Sequence, residues 1–112
     1  MLSVFEQDFI DGLNFAGNTS FGLIDENDFM FLNYYGALAN VDHVYFNFGW
    51  TFPSLTDILV AEIQDFMDNG GNVFISGQDV VWATFDAAST YQTVNTQLFL
   101  NNYMHLGYIS DG

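Results

Sequence analysis

At 112 residues with no lysine, arginine or cysteine and a formal charge of −14, the chain has room for one domain and no means of making a disulfide, a cysteine-ligated zinc site or a Lys/Arg salt bridge. A typical domain of this length carries roughly 13 basic residues, whereas the 14 acidic ones are ordinary in number, so the anomaly is loss of base. With half its residues hydrophobic and 19% aromatic, the chain is no disordered polyanion and must fold on apolar burial and neutral hydrogen bonds.

Residues 3–16 predict an amphipathic helix, with Leu2, Phe5, Phe9 and Leu13 on one stripe and Gly17 as its stop. Gly17-Asn18-Thr19-Ser20 is turn chemistry. Phe21 to Ile24 predicts a short strand ended by the acidic cluster Asp25-Glu26-Asn27-Asp28, and residues 29–40 predict a buried crossover or short helix. Val41 to Gly49 is dense in β-branched and aromatic residues and predicts a strand closed by glycine.

Ser54 to Asn69 predicts the clearest helix. Ser54 is placed to cap the Asp57 amide, and Leu55, Ile58, Leu59, Ile63, Phe66 and Met67 form one apolar stripe. Gly70 falls at the left-handed position past the helix end. Asn72 to Gly77 follows as a strand, and its unbroken Val73-Phe74-Ile75 run predicts a central strand covered on both faces. Val80 to Asp86 predicts one or two helical turns. Thr93 to Leu106 predicts the last helix, with Val94, Leu98, Phe99, Tyr103, Met104 and Leu106 inward and Gly107 as a stop; Tyr108-Ile109 predicts an edge strand. This strand–helix–strand rhythm implies parallel pairing, hence an α/β fold.

From Tyr35 onward the order of features resembles a known kind of domain. The Asp42 to Gly49 strand, the helix ending Phe66-Met67-Asp68-Asn69-Gly70-Gly71, the strand Asn72 to Gly77 running into Gln78-Asp79, and Phe99 to His105 carry the likeness. It is similar to accessory α/β domains of large secreted bacterial proteins, including some metallopeptidases and subtilisin-like peptidases. Those domains are related to the class I glutamine amidotransferase-like fold. The resemblance implies a flavodoxin-like, three-layer α/β/α sandwich with a short, mainly parallel sheet spanning residues 1–112 as one domain. It also implies an extracellular setting, although no signal peptide is visible at Met1. Two departures stand out. The nucleophilic cysteine of amidotransferases has no counterpart, and the hydrophobic strand expected ahead of the first helix is lacking, which leaves sheet edges and apolar surface for another chain to cover.

Candidate sites are few. Gln78 and Asp79 fall at the carboxyl end of a strand, where open α/β sheets bind ligands, and Trp50 and Trp82 are expected in loops that follow strands. These four are the candidate ligand or partner surface, with helix capping by Asp79 and core packing of the tryptophans as the plainer readings. Asp25, Glu26 and Asp28 offer hard oxygens to calcium, but lack the glycine turn and distal glutamate of an EF-hand loop, so a solvated turn is the simpler reading. Asp65 and Asp68 are expected on a solvated helix face. Ser76 with His105 and an aspartate would make a hydrolytic triad, but Phe74 and Gln78 stand where a nucleophile elbow needs glycine. His43 and His105 are expected in core or capping roles.

The expectation is therefore a non-catalytic accessory or protein-interaction domain with no cofactor, whose partner is itself or the remainder of a larger polypeptide. A self-assembling oligomer or filament is the alternative, and a degenerate amidotransferase-like hydrolase the third reading. Nucleic acid and anionic membrane surfaces are excluded as partners because no side chain supplies a permanent cation. Base depletion of this kind reflects either engineering or selection, or a setting that tolerates the charge. Repulsion among the carboxylates opposes compaction, so folding should strengthen as salt rises at pH 7 and as pH falls from 7 toward the carboxylate range. Calorimetry at increasing salt checks this: the expected Tm rises, and a Tm that falls would contradict it.

Overall fold

The computed structural model describes residues 4–17 and 22–109 and shows a small α/β protein. Its elements are α1 (Val4–Phe15), α2 (Glu26–Tyr34), β1 (His43–Asn47), α3 (Asp57–Asp68), β2 (Asn72–Ser76), α4 (Val80–Phe85) and α5 (Val94–Asn102). The two strands pair in parallel, with Val44 opposite Val73, Tyr45 opposite Phe74 and Phe46 opposite Ile75. The connection between them carries α3, as parallel pairing requires.

Strand side chains alternate between faces, and this separates two surfaces. Val44, Phe46, Val73 and Ile75 join the core cluster with Phe29 of α2, Leu59, Ile63 and Phe66 of α3, and Phe99 and Leu100 of α5. Phe29 meets Phe46 edge-on at 4.9 Å between ring centroids and Phe66 at 6.0 Å, which locks α2 and α3 over the sheet. On the opposite face Tyr45 and Phe74 lie 5.9 Å apart and remain 48% and 53% exposed. The Val73-Phe74-Ile75 run, expected to be covered on both faces, has its middle residue on the side opposite the core cluster with half of its surface exposed.

Several boundaries differ from the sequence expectation for local reasons. Residues 22–24 form no strand, and the acidic cluster opens α2. Asp25 is its N-cap, accepting from the Asp28 N–H at 2.7 Å, while Glu26 and Asp28 occupy the first turn, where the helix dipole favours negative charge. The cap of α3 is Thr56, which accepts from the Leu59 N–H at 3.3 Å; Ser54 is buried and donates to the Thr51 carbonyl instead. The helix starts at Asp57, its buried stripe is Leu59, Val60, Ile63 and Phe66, and packing leaves Ile58 outward at 73% exposure.

Thr93 caps α5 through the Thr96 N–H at 3.1 Å. Val94 and Leu98 face solvent while Thr96, Phe99 and Leu100 go inward. That helix ends at Asn102, short of the expected Leu106, and His105 takes a left-handed φ of 56°. Tyr108-Ile109 is not a strand: Tyr108 stacks on Phe85 at 6.3 Å, and Ile109 is exposed. On α1, Ile10 and Leu13 are half-buried, and Gly17 ends the helix at φ 87°. Of the predicted stripe, Leu2 lies outside the described residues, as do the side chains of Val4, Phe5 and Phe9; Asn18 to Phe21 also lie outside them.

The end of α3 follows the expectation closely. Gly70 has φ 95° and its N–H donates to the Met67 carbonyl, while the Gly71 N–H reaches back to the Phe66 carbonyl at 3.0 Å. These paired bonds form a Schellman motif, which satisfies two terminal carbonyls and aims the chain directly into β2. The two glycines are required for different reasons. A Cβ on Gly71 would sit 2.2 Å from Cε2 of the buried Phe66 ring, whereas a Cβ on Gly70 meets nothing within 4 Å and pays only for its positive φ. Gly71→Ala should cost about 1–3 kcal/mol through overpacking and Gly70→Ala about 1 kcal/mol through backbone strain. Urea denaturation of the two variants checks the order; a larger loss for Gly70→Ala would mean the Phe66 ring has room to move.

Candidate functional site

The carboxyl ends of β1 and β2 lie side by side, so the segments leaving them form one surface. Asn47 closes β1 opposite Ser76 of β2, and the ladder continues beyond both strands: the Phe48 N–H donates to the Ser76 carbonyl at 2.8 Å and the Gln78 N–H to the Gly49 carbonyl at 2.7 Å. Gly49 has φ 55°, which turns the chain outward and leaves Trp50 65% exposed. Gly77 sits where backbone and side chains converge, since a Cβ there would stand 3.0 Å from both Phe48 Cβ and Val80 Cγ2. Among the described residues the Asn47 side-chain amide nitrogen is buried without a hydrogen-bond partner.

Asp79 follows in a left-handed conformation, with φ 56° and ψ 31°. This is uncommon for a residue with a side chain. It holds the N-cap position of α4, but its carboxylate makes no capping bond and accepts instead from Gln78 Nε2 at 3.3 Å. Beside it runs a groove of about 440 Å³ lined by Ile75, Gly77, Asp79, Val80, Leu100 and Met104 among others. The groove is largely aliphatic, with Asp79 as its charged member.

Of the residues singled out from the sequence, Gln78 and Asp79 therefore stand together at this end of the sheet, with Trp50 on the neighbouring loop. Trp82 lies inside α4 and is half-buried, so it is not a loop residue. Asp25, Glu26 and Asp28 are at the start of α2, a separate element. Among the described residues no three or more histidine, aspartate or glutamate side chains group so as to hold a metal ion. Ser76 ends β2, while His105 follows α5, exposed. No described helix is long and apolar enough to cross a membrane.

Sequence reading missed the carboxylates that join elements. Asn33 Nδ2 of α2 donates to Glu62 Oε2 at 2.7 Å and Asp65 Oδ2 at 3.1 Å on α3. Thr93 Oγ1 donates to Asp57 Oδ1 at 2.6 Å, and the Tyr103 hydroxyl to Asp68 Oδ1 at 2.9 Å, both between α3 and the α5 region. Asp65 and Asp68 are thus structural acceptors, not merely a solvated face. The Tyr103 phenol is pushed up, first by donating to Asp68 and then by burial and the same carboxylate's charge.

The chain matches no protein-family model, no curated protein and no solved structure.

Asp86 gives this network a pH signature. The Tyr108 hydroxyl donates to Asp86 Oδ2 at 2.5 Å, and the Ala88 N–H to Oδ1 at 2.8 Å. The Tyr108 bond first, and the Ala88 bond second, hold the Asp86 carboxyl below its usual range against a smaller effect of burial. A carboxylate lowered on folding adds stability above its unfolded pKa, and loses it as pH falls through the folded one. Tyr108→Phe, which leaves net charge unchanged, should lower Tm at pH 7, with the difference from the parent shrinking as pH drops below the carboxylate range. A difference independent of pH would assign the effect to the ring stack on Phe85.

Proposed function

We propose that the chain is a non-catalytic interaction domain whose short sheet is extended by a strand from another polypeptide. One observation carries the reading: β1 and β2 form a two-stranded parallel sheet, so among the described residues each strand has only the other beside it. Parallel strands are characteristically buried inside larger sheets with both faces covered, and a strand edge without a neighbour is a template for further pairing. The outward Tyr45–Phe74 face adds aromatic area next to those edges.

An added strand, with a layer over the aromatic face, would convert this α/β unit into the three-layer, flavodoxin-like sandwich that the resemblance to secreted accessory domains implies. On this reading the partner is the remainder of a larger polypeptide or a separate protein. Copies of the chain itself are disfavoured at low salt, because each carries −14. Gln78, Asp79 and Trp50 then form the rim of the interface rather than a reaction centre.

An alternating Val-Lys peptide is the probe, since it forms strands and its lysines suit the field of the chain. Its addition should slow amide hydrogen exchange in β1 or β2, and a proline-substituted version should have no such effect. Exchange unchanged in both strands at saturating peptide would overturn the proposal. Light scattering on the chain alone identifies the occupant: a monomer at low and high salt agrees with a foreign strand, whereas an oligomer appearing with salt makes a second copy the occupant.

A further inference from the structure

The ladder between the strands fixes which backbone groups of β2 face outward. The Asn72 N–H donates to the Asp42 carbonyl and the Phe48 N–H to the Ser76 carbonyl, both at 2.8 Å. With His43 paired to Asn72 and Asn47 to Ser76, this register turns the peptide groups of Asn72, Phe74 and Ser76 toward β1. Val73, Ile75 and Gly77 therefore aim their N–H and C=O groups at the other side of β2. The groove beside Asp79 opens on that side. It is lined by Ile75, Ser76 and Gly77 in succession and by no residue of β1. Consecutive strand residues point to opposite faces, so a groove that touches all three runs along the edge of the strand. Its far wall is aliphatic, built from Val80 and Val81 of α4 and Leu100 of α5. Among the described residues that line it, Asp79 is the one charged group and none is aromatic. Gln78 Nε2 reaches one Asp79 oxygen at 3.3 Å, and a carboxylate accepts several bonds, so capacity remains for a further donor.

We infer that the added strand docks on the outer edge of β2 and carries a lysine whose alkyl stem lies in this groove and whose ammonium meets Asp79. The inference rests on the strand-extension reading and specifies its edge and its partner's side chain. Ile75 turns to the core side, so a residue beside it on the added strand points the same way, toward the groove. Lysine fits each part. Its four-carbon stem covers apolar surface while its charged head keeps to the polar rim, where Asp79 stands exposed. Arginine would find no aromatic face on which its guanidinium could stack. An apolar side chain would fill the walls and bring nothing to Asp79, and a copy of this chain supplies no lysine at all.

The alternating Val-Lys peptide and a neutral Val-Gln counterpart are the probes, with amide exchange followed residue by residue. Bound Val-Lys should slow exchange at Ile75 and Gly77, whose N–H groups face the docking edge. His43 and Asn47, whose N–H groups face away from β2 by the same alternation, should be unchanged. Asp79→Asn should weaken Val-Lys binding about fivefold, as loss of an exposed ion pair does, and leave Val-Gln binding as in the parent. Asparagine accepts the left-handed backbone that Asp79 holds, so the variant keeps the fold. Glu26→Gln, on α2, makes the same change in net charge and should weaken Val-Lys binding far less. Equal weakening by the two variants would reduce the lysine contact to general attraction to a polyanion and overturn the inference. Protection at His43 and Asn47 in place of Ile75 and Gly77 would also overturn it, by moving the strand to β1, while the strand-extension reading stands. No slowing in either strand would remove that reading and this inference with it.

Discussion

With no lysine or arginine in the chain, the carboxylates that link its elements do so through neutral donors. That constraint sets the wiring between elements. Asn33 ties α2 to Glu62 and Asp65, Thr93 and Asn95 tie the start of α5 to Asp57, Tyr103 ties its end to Asp68, and Tyr108 ties the final segment to Asp86. Each bond joins an ionised acceptor to an amide or hydroxyl, a class stronger than neutral pairs and free of the double desolvation that a buried ion pair carries. The apolar core sets where the helices lie and which face of each turns inward, and these bonds join their polar edges. Asp86, held ionised by Tyr108, and Tyr103, held protonated by Asp68, are two sides of the same arrangement.

How much of this was legible follows from what each signal depends on. The α3–Gly70–Gly71–β2 passage was readable because its cause is local: a helix end, a residue that accepts positive φ, and a β-rich run directly after it. The phase of the helices was not. When half of a sequence is hydrophobic, several apolar stripes fit one helix, and only tertiary packing chooses between Ile58 and Val60, or between Leu98 and Thr96. Thr96 is buried at a position polarity would have sent outward, its hydroxyl satisfied by the Thr93 side chain and carbonyl. The acidic cluster at Asp25 was read as the end of a strand because capping and turn chemistry use the same residues.

The candidate surface was half visible. That Gln78 and Asp79 would stand at the carboxyl end of a strand follows from order alone, but the left-handed backbone of Asp79 has no sequence signature, since glycine is the usual occupant of such a conformation. The aromatic cluster of α2 was visible as composition and not as surface. Thirteen phenylalanines and six tyrosines in one small chain exceed what a core of this size absorbs, yet which of them remain outside is decided by packing.

The charge and the two-stranded sheet also bear on one another. Among the described residues β1 and β2 pair only with each other; a strand edge without a neighbour invites indiscriminate pairing, and proteins commonly guard such edges with charge. Here the guard is global: copies that approach edge to edge bring −14 toward −14, and repulsion at close range opposes contact before any ladder forms. On the proposed reading the same field would favour a basic polypeptide, whose charge would offset the repulsion as its strand pairs. Such a charge would then discriminate between partners, disfavouring the chain's own copies and favouring a cationic strand.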